Sequence, residues 1–338
     1  MSELGLSAGL GILGMMNLRR TCRLAVAAAL CAAATAFGQA WPSKPLRIIV
    51  PFPPGGAVDV LGRAIGQKLG DALGQGVVID NRAGAGGAVG SEAAAKSPAD
   101  GYTLLMGSTS TISINPALVS KPAYEPARDF VPVSQVAFVP HMLVASAAVP
   151  ASNLREFIAY AKAKPGRLNY ASAGNGTPHH IAGEMFKQLA GVDLVHVPYK
   201  GTGPAVSDLL SGQVAFMSVE ILAALPQVRA GKLHALGVAT SARSEVAPEV
   251  PTVAEAGLPG FEVTAWYGVF APAGTPAPVV QRVAVEVAKA VAQADFRERL
   301  AGMGATPVGS GPEEFALFLR AENLRWANAV RASGAKLD

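Results

Sequence analysis

A proline- and glycine-rich segment at residues 47–62 gives the strongest indication of chemistry in this sequence. It reads Arg-Ile-Ile-Val-Pro-Phe-Pro-Pro-Gly-Gly-Ala-Val-Asp-Val-Leu-Gly, so a short apolar run is followed, after Gly56, by an apolar pattern at helical spacing. A helix that begins there has free N–H groups in its first turn, and these groups favour an anion. Gly55 and Gly56 also let a ligand approach the main chain closely. The segment predicts an anion-binding loop or, as the plainer alternative, an ordinary turn between a strand and a helix.

Strand and helix patterns alternate along the chain, and these elements must position the loop. Extended segments are predicted at 48–50, 77–80, 102–106, 130–139, 142–145, 168–171 and 194–197. Helices are predicted from Gly56, at 91–96 and 153–164, within 174–189, and at 204–210, 223–228, 278–292, 296–303 and 312–332. Such alternation is typical of parallel sheets covered by helices on both faces, so the predicted fold class is α/β.

Two parts of the sequence resemble each other and predict two similar lobes. Residues 50–61 and 197–209 each contain an apolar residue, a proline and an aromatic residue, followed by glycines and the start of a helix. Two α/β lobes that each present such a loop would close a cleft from both sides. The alternative is that the two turns share only their turn residues, because the repeat is short. A length of 338 residues also favours two domains.

The beginning of the chain has the pattern of a secretory signal peptide. Three arginines lie within 19–23, an apolar run covers 24–37, and small residues follow at 38–40. The apolar run is short for a membrane span, so a retained anchor is the weaker alternative. We therefore expect residues 1–40 to be a signal peptide, with 1–15 as an upstream extension if translation starts after it. The mature protein would then be periplasmic.

The cysteines and the charge exclude several classes of function. Cys22 and Cys31 both lie in the predicted leader, so the mature chain would have no disulfide, no thiolate nucleophile and no cysteine metal ligand. Without residues 1–40 the chain has 25 basic and 23 acidic residues. The sequence contains no basic stripe with interleaved aromatic residues, so we expect no nucleic-acid partner.

Seven motifs occur in order along the mature chain and resemble those of one protein family. They are Trp-Pro-Ser-Lys-Pro-Leu-Arg at 41–47, Val-Pro-Phe-Pro-Pro-Gly-Gly-Ala-Val-Asp at 50–59, Asp-Asn-Arg-Ala-Gly-Ala-Gly-Gly at 80–87, Asp-Gly-Tyr-Thr-Leu-Leu at 100–105, Asn-Tyr-Ala-Ser-Ala-Gly-Asn-Gly at 169–176, His-Val-Pro-Tyr-Lys-Gly at 196–201 and Pro-Thr-Val-Ala-Glu-Ala-Gly at 251–257. The family that they resemble is the Bug family, the TctC-like extracytoplasmic solute receptors of tripartite tricarboxylate transporters. Seven ordered motifs are far more specific than any single glycine-rich loop.

The resemblance implies a two-lobed periplasmic binding protein fold of type II, with two crossover strands as the hinge. Residues 41–141 and 266–338 would form the first lobe and 142–265 the second, with 266–270 in the second crossover strand. The implied function is to bind a small carboxylate in the cleft between the lobes and deliver it to the permease subunits of a membrane transporter. We accordingly expect a monomer with no cofactor and no enzymatic activity. A signalling partner in place of the permease is the alternative.

The resemblance also implies which residues hold the ligand. Backbone N–H groups at helix N-termini would bind the carboxylate, so no cluster of arginine or lysine is required. The implied contacts from the first lobe are Phe52, Pro54, Gly55, Gly56, Asp59, Ser108 and Thr109. Those from the second lobe are Ser172, Gly174, Asn175, Thr177, His179, Tyr199, Lys200 and Glu220.

Several of these residues have an alternative role. Asp59 can orient its own loop by accepting N–H bonds at the helix start, and we favour this role because two carboxylates repel each other. Lys200 can be a solvated surface charge. The acid that the family usually has on the substrate-specific side is replaced by Val219, and Glu220 or Ser218 can take its place.

The sequence predicts neither a metal site nor a catalytic centre. His179 and His180 lie together at one predicted helix start. The other three histidines, His141, His196 and His234, stand at separate strand or loop positions, so we expect no metal ion. Ser172 lacks the preceding glycine of a hydrolase nucleophile elbow, and Val89 interrupts a dinucleotide-binding fingerprint. A secreted α/β hydrolase is therefore the weakest alternative. The three C-terminal helices are expected to pack on the first lobe, away from the ligand.

Overall fold

The structure is a computed structural model that describes residues 41–119 and 122–335. The predicted signal peptide at 1–40 lies outside the described residues. Contacts divide the chain after Ser43, and the fold described below is that of the compact unit that begins at Lys44. No helix of the described residues is both long and apolar enough to cross a membrane.

Ten strands of the described residues form one sheet. They are β1 (Leu46–Val50), β2 (Val77–Asn81), β3 (Thr103–Ser108), β4 (Phe130–Ser146), β5 (Leu168–Ser172), β6 (Leu194–Pro198), β7 (Phe216–Glu220), β8 (Leu233–Val238), β9 (Thr264–Pro272) and β10 (Thr306–Pro307). Their order across the sheet is β2-β1-β3-β9-β4-β7-β5-β6, and β8 and β10 also pair with β4.

The helices follow the strands as the sequence predicts, with two short additions. They are α1 (Ala57–Leu73), α2 (Ala88–Ala95), α3 (Asn115–Leu118), α4 (Pro126–Asp129), α5 (Leu154–Lys162), α6 (Pro178–Ala190), α7 (Thr202–Leu210), α8 (Ile221–Arg229), α9 (Ala277–Ala292), α10 (Ala294–Gly302) and α11 (Pro312–Ser333). The hydroxyl-rich segment after β3 forms a π-helical turn, Ser110–Ile114. The Thr111 hydroxyl accepts the Ser108 N–H at 3.1 Å, which stabilises this turn locally.

The sheet is mixed, because antiparallel strands join two parallel groups. β1 pairs in parallel with β2 and β3, and β5 pairs in parallel with β6 and β7. β9 is antiparallel to both β3 and β4, and β4 is antiparallel to β7 and β8. The prediction of parallel sheets is therefore correct for the outer strands and wrong for the middle of the sheet. The α/β class itself is unchanged.

A single strand, β4, contributes to both halves of the sheet. Two extended segments are predicted at 130–139 and 142–145, whereas the structure has one strand of 17 residues across both. Its first part pairs with β9, and its last part pairs with β7 and β8. Pro140 interrupts neither ladder, since hydrogen bonds continue at His141, whose N–H donates to Val263 O at 3.0 Å.

Helix α11 packs against two hydrophobic clusters. Phe315 and Leu319 belong to the cluster around Trp266 and Phe270, which lies on the β1, β3 and β9 side of the sheet. Trp326 belongs to the other cluster, which contains the aromatic residues of α5, α6 and β7. A helix of 22 residues is about 33 Å long, enough to reach both clusters along one apolar stripe. The expectation that every C-terminal helix packs on one lobe alone is therefore wrong for α11.

The two aromatic residues at the start of the predicted second crossover strand have different surroundings. Trp266 is fully buried, and its ring lies 5.7 Å from those of Phe315 and Phe318 in edge-on contacts. Trp266 therefore fills the core. The neighbouring Tyr267 points to the opposite face of β9, as alternation along a strand requires.

We predict that truncation of Trp326 destabilises the protein far more than truncation of its exposed neighbour. Trp326→Ala removes a ring that is 2% exposed and should lower the free energy of unfolding by about 3–5 kcal/mol. Leu324→Ala, at a side chain that is 63% exposed on the same helix, should change it by no more than about 0.5 kcal/mol. Urea unfolding followed by circular dichroism measures both. Equal effects would contradict the contact of α11 with the second cluster.

Candidate functional site

The loop at 51–56 connects β1 to α1 and is shaped by its glycines. Gly56 precedes the helix in an extended conformation, with φ −83° and ψ 170°, so the first N–H groups of α1 point away from the helix body. Gly55 has φ +92°, a conformation that other residues rarely adopt. The loop therefore requires glycine at 55 for its conformation.

The Asp59 side chain stabilises this loop by hydrogen bonds. Its carboxylate accepts the N–H of Gly55 at 3.0 Å and forms an ion pair with Arg63. The amide of Asn81 donates both to Asp59 and to the carbonyl oxygen of Phe52, each at 2.9 Å. Burial raises the pKa of Asp59, but the bonds from Arg63, Gly55 and Asn81 outweigh that effect and hold the pKa below its usual range. Asp59 thus performs the loop-orienting role predicted for it.

A small recess with a cavity volume of about 20 Å³ lies beside this loop, and we call it the main recess. It is bounded by the loop itself, the end of β3, the starts of α6 and α7, the end of β7 and part of β9. Its lining residues are Phe52, Pro53, Gly56, Ala57, Val58, Ser108, Thr109, Ser110, Ala173, Thr177, Pro178, His179, Thr202, Glu220, Ala265 and Tyr267. No lysine or arginine of the described residues is among them.

Three helices begin at the main recess. The first residues of α1, α6 and α7 are Ala57, Pro178 and Thr202, and all three residues line it. The N-terminus of each helix carries a partial positive charge and unpaired N–H groups. These helix N-termini therefore place positive partial charge at the main recess, which has no lysine or arginine in its lining.

Two buried polar atoms at the main recess have no hydrogen-bond partner among the described residues. They are the hydroxyl of Ser108 and the Nδ1 of His179. The two side chains are each 3% exposed. Buried polar atoms are nearly always paired, and an unpaired one costs about 1–3 kcal/mol. Atoms of a ligand or of ordered water in the main recess would supply the missing partners.

Glu220 lies deep in the main recess with both carboxylate oxygens bonded to protein. Tyr267 donates its hydroxyl to Oε1 at 2.9 Å, and His179 Nε2 lies 3.0 Å from Oε2. Burial raises the pKa of Glu220, but attraction to His179 and their hydrogen bond hold it below its usual range. Glu220 is therefore ionised, and its bond to His179 Nε2 leaves Nδ1 as the free nitrogen of that imidazole.

His141 lies behind this pair. Its ring centroid is 5.0 Å from that of His179, and its Nδ1 is 3.1 Å from the hydroxyl of Ser218. Burial lowers the pKa of His141 to about 3, because the loss of solvation outweighs the attraction of Glu220. The expectation that His141 stands apart from His179 is wrong. The antiparallel register of β4 and β7 places His141 directly opposite Glu220, and no pattern in the sequence reveals that register.

A second recess, with a cavity volume of about 180 Å³, lies next to the main recess and shares Phe52 and Ala173 with it. Its lining residues are Phe52, Gly84, Ala85, Gly86, Gly87, Ala173, Gly174, Asn175, Pro198, Tyr199 and Lys200. Tyr199 donates its hydroxyl to Asp208 at 2.7 Å, so that group is already paired. Lys200 is exposed, which agrees with the solvated role that the sequence leaves open for it.

Ser172 lies behind the loop that lines both recesses. It is fully buried, its hydroxyl is 2.7 Å from His196 Nε2, and it accepts the N–H of Gly174 at 3.2 Å. Thr177 donates its hydroxyl to the carbonyl of Gly174 at 2.7 Å and completes the turn. Ser172 therefore supports the loop at 173–177.

The structure distributes the residues predicted to hold a ligand over three places. Those that line the main recess are Phe52, Gly56, Ser108, Thr109, Thr177, His179 and Glu220. Phe52 also lines the second recess, together with Gly174, Asn175, Tyr199 and Lys200. Pro54, Gly55, Asp59 and Ser172 line neither. Among lining residues absent from the prediction, Ser110, Thr202 and Tyr267 carry polar side chains. The signals in the sequence were a predicted helix start near Thr202 and the position of Tyr267 in the predicted second crossover strand.

We predict that His141 makes the protein less stable as the pH falls from 8 to 5. Its pKa is about 3 in the folded chain and about 6.5 when unfolded, so the unfolded chain binds a proton that the folded chain does not. The free energy of unfolding should decrease by about 2 kcal/mol from this residue over that interval. Urea unfolding at both pH values, on the wild type and on His141→Gln, measures the difference. The same pH dependence in both proteins would contradict the prediction.

Comparison with known proteins identifies one family for this chain. The family model described as "Tripartite tricarboxylate transporter family receptor" matches residues 61–335. Protein BugT of Bordetella pertussis is 42% identical over 306 residues, which cover 90% of this chain and 94% of BugT.

Two solved structures of similar proteins contain a carboxylate. Rpa4515 of R. palustris with adipate is 36% identical, has a TM-score of 0.85 and covers 88% of this chain and 100% of its own. MatC (Rpa3494) from Rhodopseudomonas palustris with bound malate is 39% identical, has a TM-score of 0.82 and covers 86% of this chain and 100% of its own.

These similarities confirm the fold class and the family expected from the sequence motifs. The chain has the fold of solved periplasmic binding proteins, with TM-scores of up to 0.85. The family match extends over most of the described residues. The chain therefore belongs to the tripartite tricarboxylate transporter receptor family, the TctC and Bug group of periplasmic solute-binding proteins.

Proposed function

We propose that this receptor binds a small carboxylate in the main recess and delivers it to the permease subunits of a tripartite tricarboxylate transporter. The observation that carries the proposal is the pair of buried, unpartnered polar atoms, Ser108 Oγ and His179 Nδ1, at a recess where three helices begin. A hydroxyl, an imidazole and backbone N–H groups together form a suitable set of donors for a carboxylate.

The negative charge of Glu220 is compatible with an anionic ligand because His179 lies beside it. Glu220 accepts from His179 Nε2 and from the Tyr267 hydroxyl, so neither carboxylate oxygen is free to repel the ligand at close range. As the imidazolium, His179 would donate Nε2–H to Glu220 and Nδ1–H to the ligand. In this proposal His179 contacts the ligand, and Glu220 positions His179.

Dicarboxylates of about the size of malate or adipate are the ligand class that we propose. Two neighbours of 36% and 39% identity were solved with adipate and malate. The main and second recesses adjoin at Phe52 and Ala173. One carboxylate group would lie in the main recess, and the second recess offers the N–H groups of its glycine-rich loops to the other end.

We further propose that the two lobes expected from the sequence, 41–141 with 266–338 and 142–265, close around the ligand as a monomeric periplasmic receptor. Residues on the two sides are already close. A Cβ atom on Gly201 would lie 2.7 Å from Pro53, and one on Gly86 would clash directly with the carbonyl oxygen of Asn175. Closure therefore depends on loops that approach backbone to backbone.

We predict that Ser108→Ala weakens ligand binding without loss of stability. The substitution removes an unpaired buried hydroxyl, so the free energy of unfolding should stay the same or rise slightly. Affinity for the carboxylate should fall about 10- to 100-fold, the usual contribution of a hydrogen bond to a charged group. The protein, refolded to remove bound ligand, is screened by thermal shift against malate, adipate and related acids. A ligand at about 100 times its Kd adds roughly 2.7 kcal/mol.

Ser134→Ala is the matched control for this prediction. Ser134 is a fully buried serine on β4 whose hydroxyl bonds to Gln135 O, and it does not line the main recess. This variant should bind the acid as tightly as the wild type. Failure of the wild type to respond to any acid would refute the carboxylate assignment, and equal affinity in Ser108→Ala would remove Ser108 from the site.

A second prediction tests closure. Gly86→Ala should keep the fold but prevent the loops from meeting, because its methyl group would occupy the position of the Asn175 carbonyl. If the closed state becomes about tenfold less populated, affinity falls about tenfold. Small-angle scattering should then show no ligand-induced compaction. Gly74→Ala has nearly the same backbone strain, φ +65° against +60°, with open space around it, and should close normally. Compaction of Gly86→Ala would argue against closure at this contact.

A further inference from the structure

We propose that His141, His179 and Glu220 form a binding site for a divalent transition-metal ion of the zinc class. Each residue offers one ligand atom, and the three atoms lie within 4.8 Å of one another. The three side chains are nearly inaccessible, at 0%, 3% and 4% exposure respectively. This proposal is independent of the carboxylate function, since the three protein ligands are present whether or not a solute binds.

The ligand types select the metal class. Two imidazoles and one carboxylate form a donor set that zinc uses in proteins, and imidazole also suits cobalt and nickel. Zinc bonds to nitrogen and oxygen are about 2.0–2.1 Å long, so tetrahedral ligands lie about 3.3 Å apart. His179 Nε2 and Glu220 Oε2 are already 3.0 Å apart. Little movement of these two side chains is needed to admit the ion.

Two hydroxyl groups next to the cluster bond to its side chains, as the hydrogen-bond partners of metal ligands usually do. The hydroxyl of Ser218 lies 3.1 Å from His141 Nδ1, so Nε2 is the nitrogen available to bind an ion. This Nε2 is buried and has no partner among the described residues. The hydroxyl of Tyr267 bonds to Oε1 of Glu220 at 2.9 Å. Such contacts orient an imidazole and a carboxylate toward an ion and raise the affinity of the site.

Regular secondary structure holds the three ligands in place. His141 and Glu220 are register partners on the antiparallel strands β4 and β7, and His179 lies in the first turn of α6. Ligands on strands and helices hold their relative positions better than ligands on loops. The site therefore requires no ordering of a loop when the ion binds.

A divalent cation would also offset the negative charge of Glu220 in the cluster. Glu220 is a buried carboxylate, and its one ion pair among the described residues is with His179. A buried negative charge without a full cationic partner is costly. The ion would take the Nε2 lone pair of the imidazole tautomer that carries its proton on Nδ1. That Nδ1–H would then donate into the main recess.

The remaining coordination position faces the main recess, because His179 and Glu220 line that recess and His141 does not. Water would occupy this position in the protein without solute. A carboxylate of the solute would replace the water, and this last step alone rests on the proposed function.

The test is a titration of the full chain, produced without an affinity tag and stripped with a chelator. Cobalt(II) is added, and its visible absorption reports a low-coordinate site; zinc(II) is then added in competition. We expect one cobalt ion per chain, displaced by zinc. His141→Gln and Glu220→Gln should abolish this signal. His234→Gln, which changes a histidine on β8 outside the cluster, should leave it unchanged.

Two milder variants keep the test decisive if the ligand variants fold poorly. Ser218→Ala and Tyr267→Phe leave the three ligands in place and should weaken zinc binding about 10- to 100-fold. Circular dichroism establishes that each variant is folded. A folded wild type that binds neither cobalt nor zinc would overturn the proposal, as would unchanged binding in all four variants. Thermal shift with malate or adipate on the stripped protein tests the carboxylate proposal separately.

Discussion

The antiparallel pairing of β4 is the interaction on which the rest of this structure depends. This strand of 17 residues bonds to β9 along its first part and to β7 and β8 along its last part. Because the side-chain period of a strand is two residues, the register of this pairing fixes which residues face each other. It places His141 opposite Glu220 and Phe138 opposite Trp266. The buried polar cluster and the aromatic core are therefore set by two ladders of the same strand.

The recess combines two kinds of polar group that differ in their stability cost. Backbone N–H groups at the starts of α1, α6 and α7 are fixed by the helices, and helix formation leaves them unpaired in any case. The unpaired Ser108 hydroxyl and His179 Nδ1 are different, since burial without a partner lowers stability. A protein that retains such atoms at a recess offers a solute hydrogen bonds that no other described protein group makes. Affinity and the loss of stability thus have a common origin.

Glu220 illustrates how its neighbours change the role of a charged residue. As an isolated carboxylate it would repel an acidic solute, and from the sequence it was a candidate for the substrate-specific side of the site. Its oxygens are instead bonded to Tyr267 and His179, with His141 close behind. The same arrangement that shields its charge from a carboxylate also forms the proposed metal site. The three side chains that form this cluster, His141, His179 and Glu220, come from three different elements, β4, α6 and β7.

The sequence by itself determined the local elements and the family of this protein. The glycines at 55 and 56, the prolines around them and the apolar periodicity after them identify a strand, a loop and a helix start, because such signals depend on residues near in sequence. Asp59 was assigned to its loop for the same reason. Only the tertiary structure decided that His141 meets His179, that Tyr267 bonds to Glu220, and that α11 crosses two hydrophobic clusters. These contacts join residues far apart in the chain, and they depend on strand register and helix packing, which local residue patterns do not specify.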